Sequence, residues 1–205
     1  VLSAGAPLEA AERVYLLFHG RGGRAEHMIA LGDDLAGRAG DTSAAVLAPQ
    51  GTGNVWYPQR FIAPLSENEP HLSSALELAG RIVETVAATY SIASEEIVLG
   101  GFSQGACLAL EFAARNPKPY AGVLGFSGGL IGPMATGVSH AGDLTGVPVF
   151  LGCSEEDPHI PFQRFKDTED QFRRMGAAVT THVYPGGTHT ITETELTMAA
   201  RLVQR

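Results

Sequence analysis

Cysteine is scarce in this chain. Cys107 and Cys153 are the only two in 205 residues, too few for the disulfide framework of a small secreted domain. Both lie in apolar surroundings and read as buried free thiols, which points to a reducing, cytoplasmic setting. No stretch reaches the ~18 consecutive apolar residues of a membrane-spanning helix, so no integral membrane segment is expected. The first residues lack a charged segment followed by a long apolar run, so no signal peptide is visible. The sequence opens on Val1 rather than Met, which leaves room for something removed upstream. Positive charge is short as well: 14 Lys and Arg stand against 22 Asp and Glu, for a net charge of -8. The longest basic run is the pair Arg173-Arg174. Partners such as nucleic acid or an anionic membrane surface ask for the opposite sign. The seven histidines show neither H-x-H nor H-E-x-x-H spacing, so no metal site is expected.

Apolar residues are plentiful at 44%, charged residues make up 18%, and there are 25 glycines. That balance suits a globular protein with many tight turns, and the length suits one domain, residues 1–205. Six short runs are apolar without polar alternation: residues 14–18, 44–48, 96–99, 122–126, 147–151 and 179–184. Each ends in a glycine-, proline- or serine-containing turn. Runs of this kind predict strands buried on both faces of a parallel sheet. Helical spacing falls between them, over residues 25–39, 72–90, 104–115, 162–175 and 192–203. Asn116-Pro117 stops the third of these. Alternating strands and helices predict a three-layer α/β fold, a mainly parallel sheet with helices on both faces. Residues 51–70 and 130–146 have no regular pattern and follow strand C-termini, where ligands bind in open α/β sheets. No linker, internal repeat or low-complexity tract divides the chain.

Two segments match G-x-S-x-G, against roughly 0.2 matches per chain expected by chance at this composition. They are Gly101-Phe102-Ser103-Gln104-Gly105 and Gly125-Phe126-Ser127-Gly128-Gly129. A nucleophile elbow needs a strand, a sharp strained turn and then a helix. Ser103 has a strand before it and a helix of small residues after it, Ala106, Cys107 and Ala109. Ser127 is followed by Leu130-Ile131-Gly132-Pro133, which does not start a helix. Ser103 is therefore the candidate nucleophile, and Ser127 a candidate pocket residue at a strand end.

A serine hydroxyl needs an adjacent base. His189 is the last histidine, on a loop after the final strand, where this chain order places the base. His182 lies within that strand and is poorly placed. The acid should follow the strand 147–151, where Glu155, Glu156 and Asp157 compete. Asp157 has a short side chain and precedes Pro158, which fixes the backbone after it. Its task is to hold the imidazole tautomer and stabilise the imidazolium. Two backbone N–H groups should form an oxyanion hole. Gln104, after the nucleophile, supplies one; Arg21, in the glycine-rich loop His19-Gly20-Arg21-Gly22-Gly23, supplies the other. Trp56, Tyr57 and Phe61 sit in an irregular loop and are candidates for an apolar substrate wall.

These segments together resemble the phospholipase/carboxylesterase family of α/β-hydrolases, which includes acyl-protein thioesterases and small bacterial carboxylesterases. The matching pieces are Leu17-Phe18-His19-Gly20-Arg21-Gly22, Ala48-Pro49-Gln50, Gly100-Gly101-Phe102-Ser103-Gln104-Gly105, Gly125-Phe126-Ser127-Gly128, Asp157-Pro158-His159-Ile160-Pro161 and Tyr184-Pro185-Gly186-Gly187-Thr188-His189. They run through nearly the whole chain in the family's order. The resemblance implies an α/β-hydrolase fold, the triad Ser103, Asp157 and His189, the oxyanion donors Arg21 and Gln104, and no cofactor. Two positions depart from the family's habit. An apolar residue often follows the His-Gly pair, and here it is Arg21. An aromatic pair followed by aspartate is often found where this chain has Trp56-Tyr57-Pro58. Both touch the substrate side, and they leave the Arg21 side chain to meet an anionic substrate group or project into water.

The expected activity is hydrolysis of small or short-to-medium-chain carboxylic esters, a small-molecule substrate class, through an acyl-enzyme. The stretch between the strand 122–126 and the acid loop is short, so no large lid is expected. Acyl-protein thioesterase or lysophospholipase activity is the neighbouring alternative. A serine peptidase and a non-catalytic binding protein on the same scaffold are remoter ones. A dienelactone hydrolase would carry cysteine at the Ser103 position. The apolar loops allow either a monomer or a homodimer.

Overall fold

Strands form where the apolar runs predict them, because a run without polar alternation must be covered on both faces. The computed structural model describes residues 1–204. Seven strands make one sheet: β1 (Leu2–Gly5), β2 (Arg13–Phe18), β3 (Ala44–Ala48), β4 (Ile97–Phe102), β5 (Gly122–Phe126), β6 (Pro148–Ser154) and β7 (Ala178–Tyr184). Their order is β1-β3-β2-β4-β5-β6-β7. Every neighbouring pair is parallel except β1 with β3. The helices are α1 (Ala25–Ala39), α2 (Leu65–Asn68), α3 (His71–Tyr90), α4 (Gln104–Arg115), α5 (Phe162–Arg174) and α6 (Glu193–Leu202).

Side chains alternate across the sheet. Tyr15 and Leu17 of β2 pack with Met28 and Leu35 of α1 and Leu196 and Ala199 of α6. Val14, Leu16 and Phe18 face the other way, onto a cluster that includes Val83 of α3, Leu108 of α4 and Phe165 of α5. The result is the three-layer α/β-hydrolase arrangement. Each fully buried Leu or Phe in these layers contributes about 1.5–3 kcal/mol. Among the described residues no helix is long and apolar enough to cross a membrane.

Three features differ from the sequence expectation. β7 is an edge strand and only half-buried, not covered on both faces, so its Thr180, Thr181 and His182 are tolerated. β1 adds a seventh strand at the edge, antiparallel to β3. Three of its four residues are exposed, so no apolar run marked it; pairing with β3 makes it a strand. The irregular stretch 51–70 also contains the single turn α2. The second irregular stretch holds one 3-10 turn, Met134–Thr136, and buried charge fixes the start of the stretch. The Arg164 guanidinium donates to the carbonyls of Leu130 (2.9 Å) and Pro133 (3.0 Å), and the Glu111 carboxylate accepts from Ile131 N–H (2.9 Å).

The topology opens a crevice at one place. From β2 the chain leaves toward β3, whereas from β4 it leaves toward β5 on the opposite side. The loops after β2 and β4 therefore part at their carboxyl ends, the switch point at which open α/β sheets bind ligands. The start of α4 lies hard against the end of β2 there. A Cβ on Gly105 would overlap the Phe18 carbonyl, and one on Gly101 would meet both that carbonyl and Gly105.

Backbone cannot move aside as a side-chain tip can, so Gly105→Ala should destabilise by upwards of ~3 kcal/mol. Gly37 is the control. It lies on the exposed face of α1, and a methyl group there would meet nothing within 4 Å. Gly37→Ala should stabilise by about 0.5–1 kcal/mol. Urea unfolding of the two variants against wild type checks both signs.

Candidate active site

Ser103 is the single residue between β4 and α4, and the turn is sharp. Its backbone has φ 55° and ψ -119°, a conformation that costs a non-glycine residue on the order of 1–3 kcal/mol. The fold over-determines it: Ser103 N–H donates to the Phe126 carbonyl (2.9 Å) and the Ser103 carbonyl accepts from Cys107 N–H (3.0 Å). The turn lifts Oγ off the sheet, and His189 Nε2 lies 2.8 Å from it. His189 Nδ1 lies 2.8 Å from Asp157 Oδ2. With Nδ1 donating to the carboxylate, Nε2 is left to accept from the serine hydroxyl.

Of the three carboxylates only Asp157 reaches His189, for a geometric reason. Its side chain is fully buried, and its second oxygen, Oδ1, accepts from the N–H groups of His159 (2.8 Å) and Ile160 (3.1 Å). A short carboxylate can fold onto the backbone two residues on in this way. Glu155 and Glu156 are exposed on the preceding turn.

His189 is held by its flanking carbonyls. Ser154 Oγ donates to the Thr188 carbonyl (2.8 Å), and Tyr184 Oη donates to the Thr190 carbonyl (3.1 Å). Two residues farther on, a capping box ties Thr192 to Glu195 and starts α6. The imidazole also meets the Phe102 ring at 4.9 Å and the His159 ring edge-on at 4.7 Å.

Gln104 N–H opens α4, where no intrahelical carbonyl is available to it. Arg21 N–H lies in the loop after β2. Among the described residues neither donates to a carbonyl, so both remain for an oxyanion. Their side chains serve elsewhere. Gln104 Nε2 donates to the Tyr57 carbonyl (2.8 Å), and Gln104 Oε1 accepts from Trp56 N–H (3.0 Å). Arg21 Nη2 donates to the carbonyls of Tyr57 (2.9 Å) and Gln59 (2.7 Å). The two oxyanion candidates thus also tie down the loop across the cleft.

The loop after β2 rests on His19, which is fully buried. Its Nδ1 donates to the Gly20 carbonyl (2.8 Å), and its Nε2 accepts from Gly51 N–H (3.0 Å) and from Gln50 Nε2 (3.0 Å). This set suits a neutral ring, and burial holds its pKa below the ordinary histidine value against the opposing pull of the Gly20 carbonyl.

A cleft of about 270 Å³ opens beside Ser103, and Tyr57, Phe61 and Arg60 are among its walls. Two expected wall residues are elsewhere. Trp56 turns inward: its indole stacks on His19 at 4.7 Å and donates to the His19 carbonyl (2.8 Å). Ser127 is fully buried, with its hydroxyl 3.5 Å from the Thr190 carbonyl behind the base. Composition cannot tell which side of a loop or strand end a residue faces. The sequence reading also passed over His159, Ile160 and Phe102, which line the cleft. Each is within three positions of a triad residue, which is the signal that marks them. Cys107 lines the floor, but burial pushes its thiol up to about 12, so it stays protonated and unreactive.

A family model described as Phospholipase/Carboxylesterase matches residues 5–205. A crystal structure of a phospholipase/carboxylesterase from Dyadobacter fermentans is 38% identical, covers 100% of this chain and 95% of that one, and superposes with a TM-score of 0.92. A putative hydrolase of Bacillus subtilis is 26% identical over 92% of this chain and 91% of its own length. Acyl-protein thioesterase 1 of Debaryomyces hansenii is 30% identical over 56% of this chain and 50% of its own length. The chain spans only about half the length of the thioesterases it matches.

The buried, neutral His19 has a consequence for stability. The unfolded chain binds a proton near pH ~6.5 and the folded chain resists it. Folding stability should therefore be full above that pH and decline as pH falls below it. Thermal unfolding between pH 7 and pH 5 should show a shallower decline in His19→Asn than in wild type; equal slopes would contradict the assignment.

Proposed function

This chain belongs to the phospholipase/carboxylesterase family of esterases and hydrolases, and we propose that it is a serine carboxylic ester hydrolase acting through an acyl-enzyme. Residues 1–205 act as one domain in this reading. The observation that carries it is the unbroken relay from Ser103 Oγ to His189 to Asp157, with both contacts at 2.8 Å.

The cycle follows from that relay. His189 Nε2 takes the Ser103 proton as Oγ attacks the ester carbonyl. The developing imidazolium is stabilised by Asp157, whose orientation is fixed by two backbone N–H groups. The tetrahedral oxyanion forms beside the N–H groups of Gln104 and Arg21. Each such donor is worth about 100- to 1,000-fold in rate. The imidazolium returns the proton to the departing alcohol, and water hydrolyses the acyl-enzyme by the same route. An oxygen or a sulfur leaving group fits this scheme equally. The thioesterase names among the relatives favour testing both.

A cleft of about 270 Å³ falls just under the ~300 Å³ at which pockets for drug-sized ligands begin. That size supports small or short-to-medium-chain esters as substrates. The only cysteines are two buried thiols, which suits a cytoplasmic enzyme.

With p-nitrophenyl esters from acetate to palmitate, wild type should be most active on the shorter chains, and Ser103→Ala should lose about 1,000-fold or more of kcat. Equal activity in the variant would remove Ser103 from its role, and a rate rising steadily to palmitate would overturn the substrate size.

A further inference from the structure

The cleft beside Ser103 carries an unusual charge for this chain. The protein has a net charge of -8, yet no Asp or Glu side chain is among the cleft walls, whereas two arginines are, Arg21 and Arg60. Six of the nine other described arginines are in ion pairs with carboxylates, Arg13, Arg38, Arg81, Arg115, Arg164 and Arg173, while Arg24, Arg174 and Arg201 are not. Among the described residues no ion pair includes Arg21 or Arg60.

Both are nevertheless held in place. Arg21 uses Nη2 alone, on the Tyr57 and Gln59 carbonyls. Arg60 uses Nη2 alone, on the His159 carbonyl (3.1 Å). Each anchors on loop backbone and keeps its remaining N–H groups uncommitted. A guanidinium fixed by neutral carbonyls retains its full charge, and its planar fork matches a carboxylate or phosphate.

A second opening, of about 420 Å³, lies on the far side of the Gly20–Arg21 strap and His189. It shares Arg21 and Phe102 with the first cleft and adds Met28, Leu31 and Ile191 with His27.

We propose that the substrate is an ester carrying an anionic group, a carboxylate or a phosphate, within a few bonds of the scissile carbonyl, seated between Arg21 and Arg60. The inference rests on the reading of Ser103 as an esterase nucleophile and narrows its substrate class.

Two matched ester pairs test it. 4-Nitrophenyl hemiglutarate and 4-nitrophenyl valerate place a carboxylate or a methyl at the end of the same acyl chain. 4-Carboxyphenyl butyrate and 4-methylphenyl butyrate do so on the alcohol side. In at least one pair the anionic member should have the higher kcat/KM, by about tenfold for a charge-assisted pair of contacts. That ratio should collapse toward one in Arg60→Gln, be partly kept in Arg60→Lys, and shrink as salt is raised. The pair that shows it tells which portion of the ester carries the charge. Calorimetric binding of glutarate and inorganic phosphate to Ser103→Ala, with and without Arg60→Gln, reads the site without turnover. At least one anion should bind, and more weakly when Arg60 is replaced. Hydrolysis of neutral esters with no anionic preference in either pair overturns this inference and leaves the esterase reading standing. No hydrolysis of any ester, with Arg60-dependent anion binding intact, overturns the esterase reading and keeps the anion site. Neither hydrolysis nor binding removes both.

Discussion

The N-terminus of α4 meets the C-terminal end of β2 with no space for a side chain at Gly105 or Gly101. This contact forces the chain to turn within one residue, and that residue is Ser103, held at φ 55°. The rest of the site depends on it. It sets the Ser103 hydroxyl above the sheet, it aims the first N–H groups of α4 at the same space, and it brings the loop after β2 alongside. A longer connection would relieve the backbone and scatter these groups. The strain on Ser103 is supported by two backbone hydrogen bonds and by the buried layers on either side of the sheet.

The second layer of the site is built almost entirely from backbone carbonyls held by side chains. Ser154 and Tyr184 take the carbonyls on either side of His189. Gln104 and Arg21 both take the Tyr57 carbonyl. Arg60 takes that of His159. A carbonyl cannot move without its chain, so each bond fixes a loop rather than a rotamer. The loops that carry base, acid and cleft wall thereby become rigid, which is what orienting a nucleophile and its base requires.

Much of this was legible in the sequence, and the limits are physical. Five of the helices and six of the strands follow the apolar pattern; five of those strands are buried on both faces, while β7, at the edge opposite β1, is only half-buried. β1 does not follow the pattern, since it is an exposed edge that forms only against β3. The spacing around Ser103, Asp157 and His189 names the three residues, and the structure brings them within hydrogen-bond reach. The same reading placed Trp56 and Ser127 in the cleft wall. Trp56 is an aromatic in an irregular loop, but it turns inward to stack on the buried His19. Ser127 ends a strand just as Ser103 does, but no helix follows it. Which way a loop residue faces is decided by contacts distant in the chain. Arg21 is the sharpest case: its place in the loop was evident, while its bonds to Tyr57 and Gln59 span some 36 to 38 positions.

The central claim is that Ser103, under these constraints, is a chemically activated nucleophile. Incubation of the folded protein with a fluorophosphonate, followed by peptide mass mapping, tests it most directly, because only an activated hydroxyl displaces fluoride from such a reagent. One stoichiometric adduct is expected, on Ser103, and none in the Ser103→Ala protein. An adduct on Ser127, or an unlabelled protein that still hydrolyses esters, would contradict it.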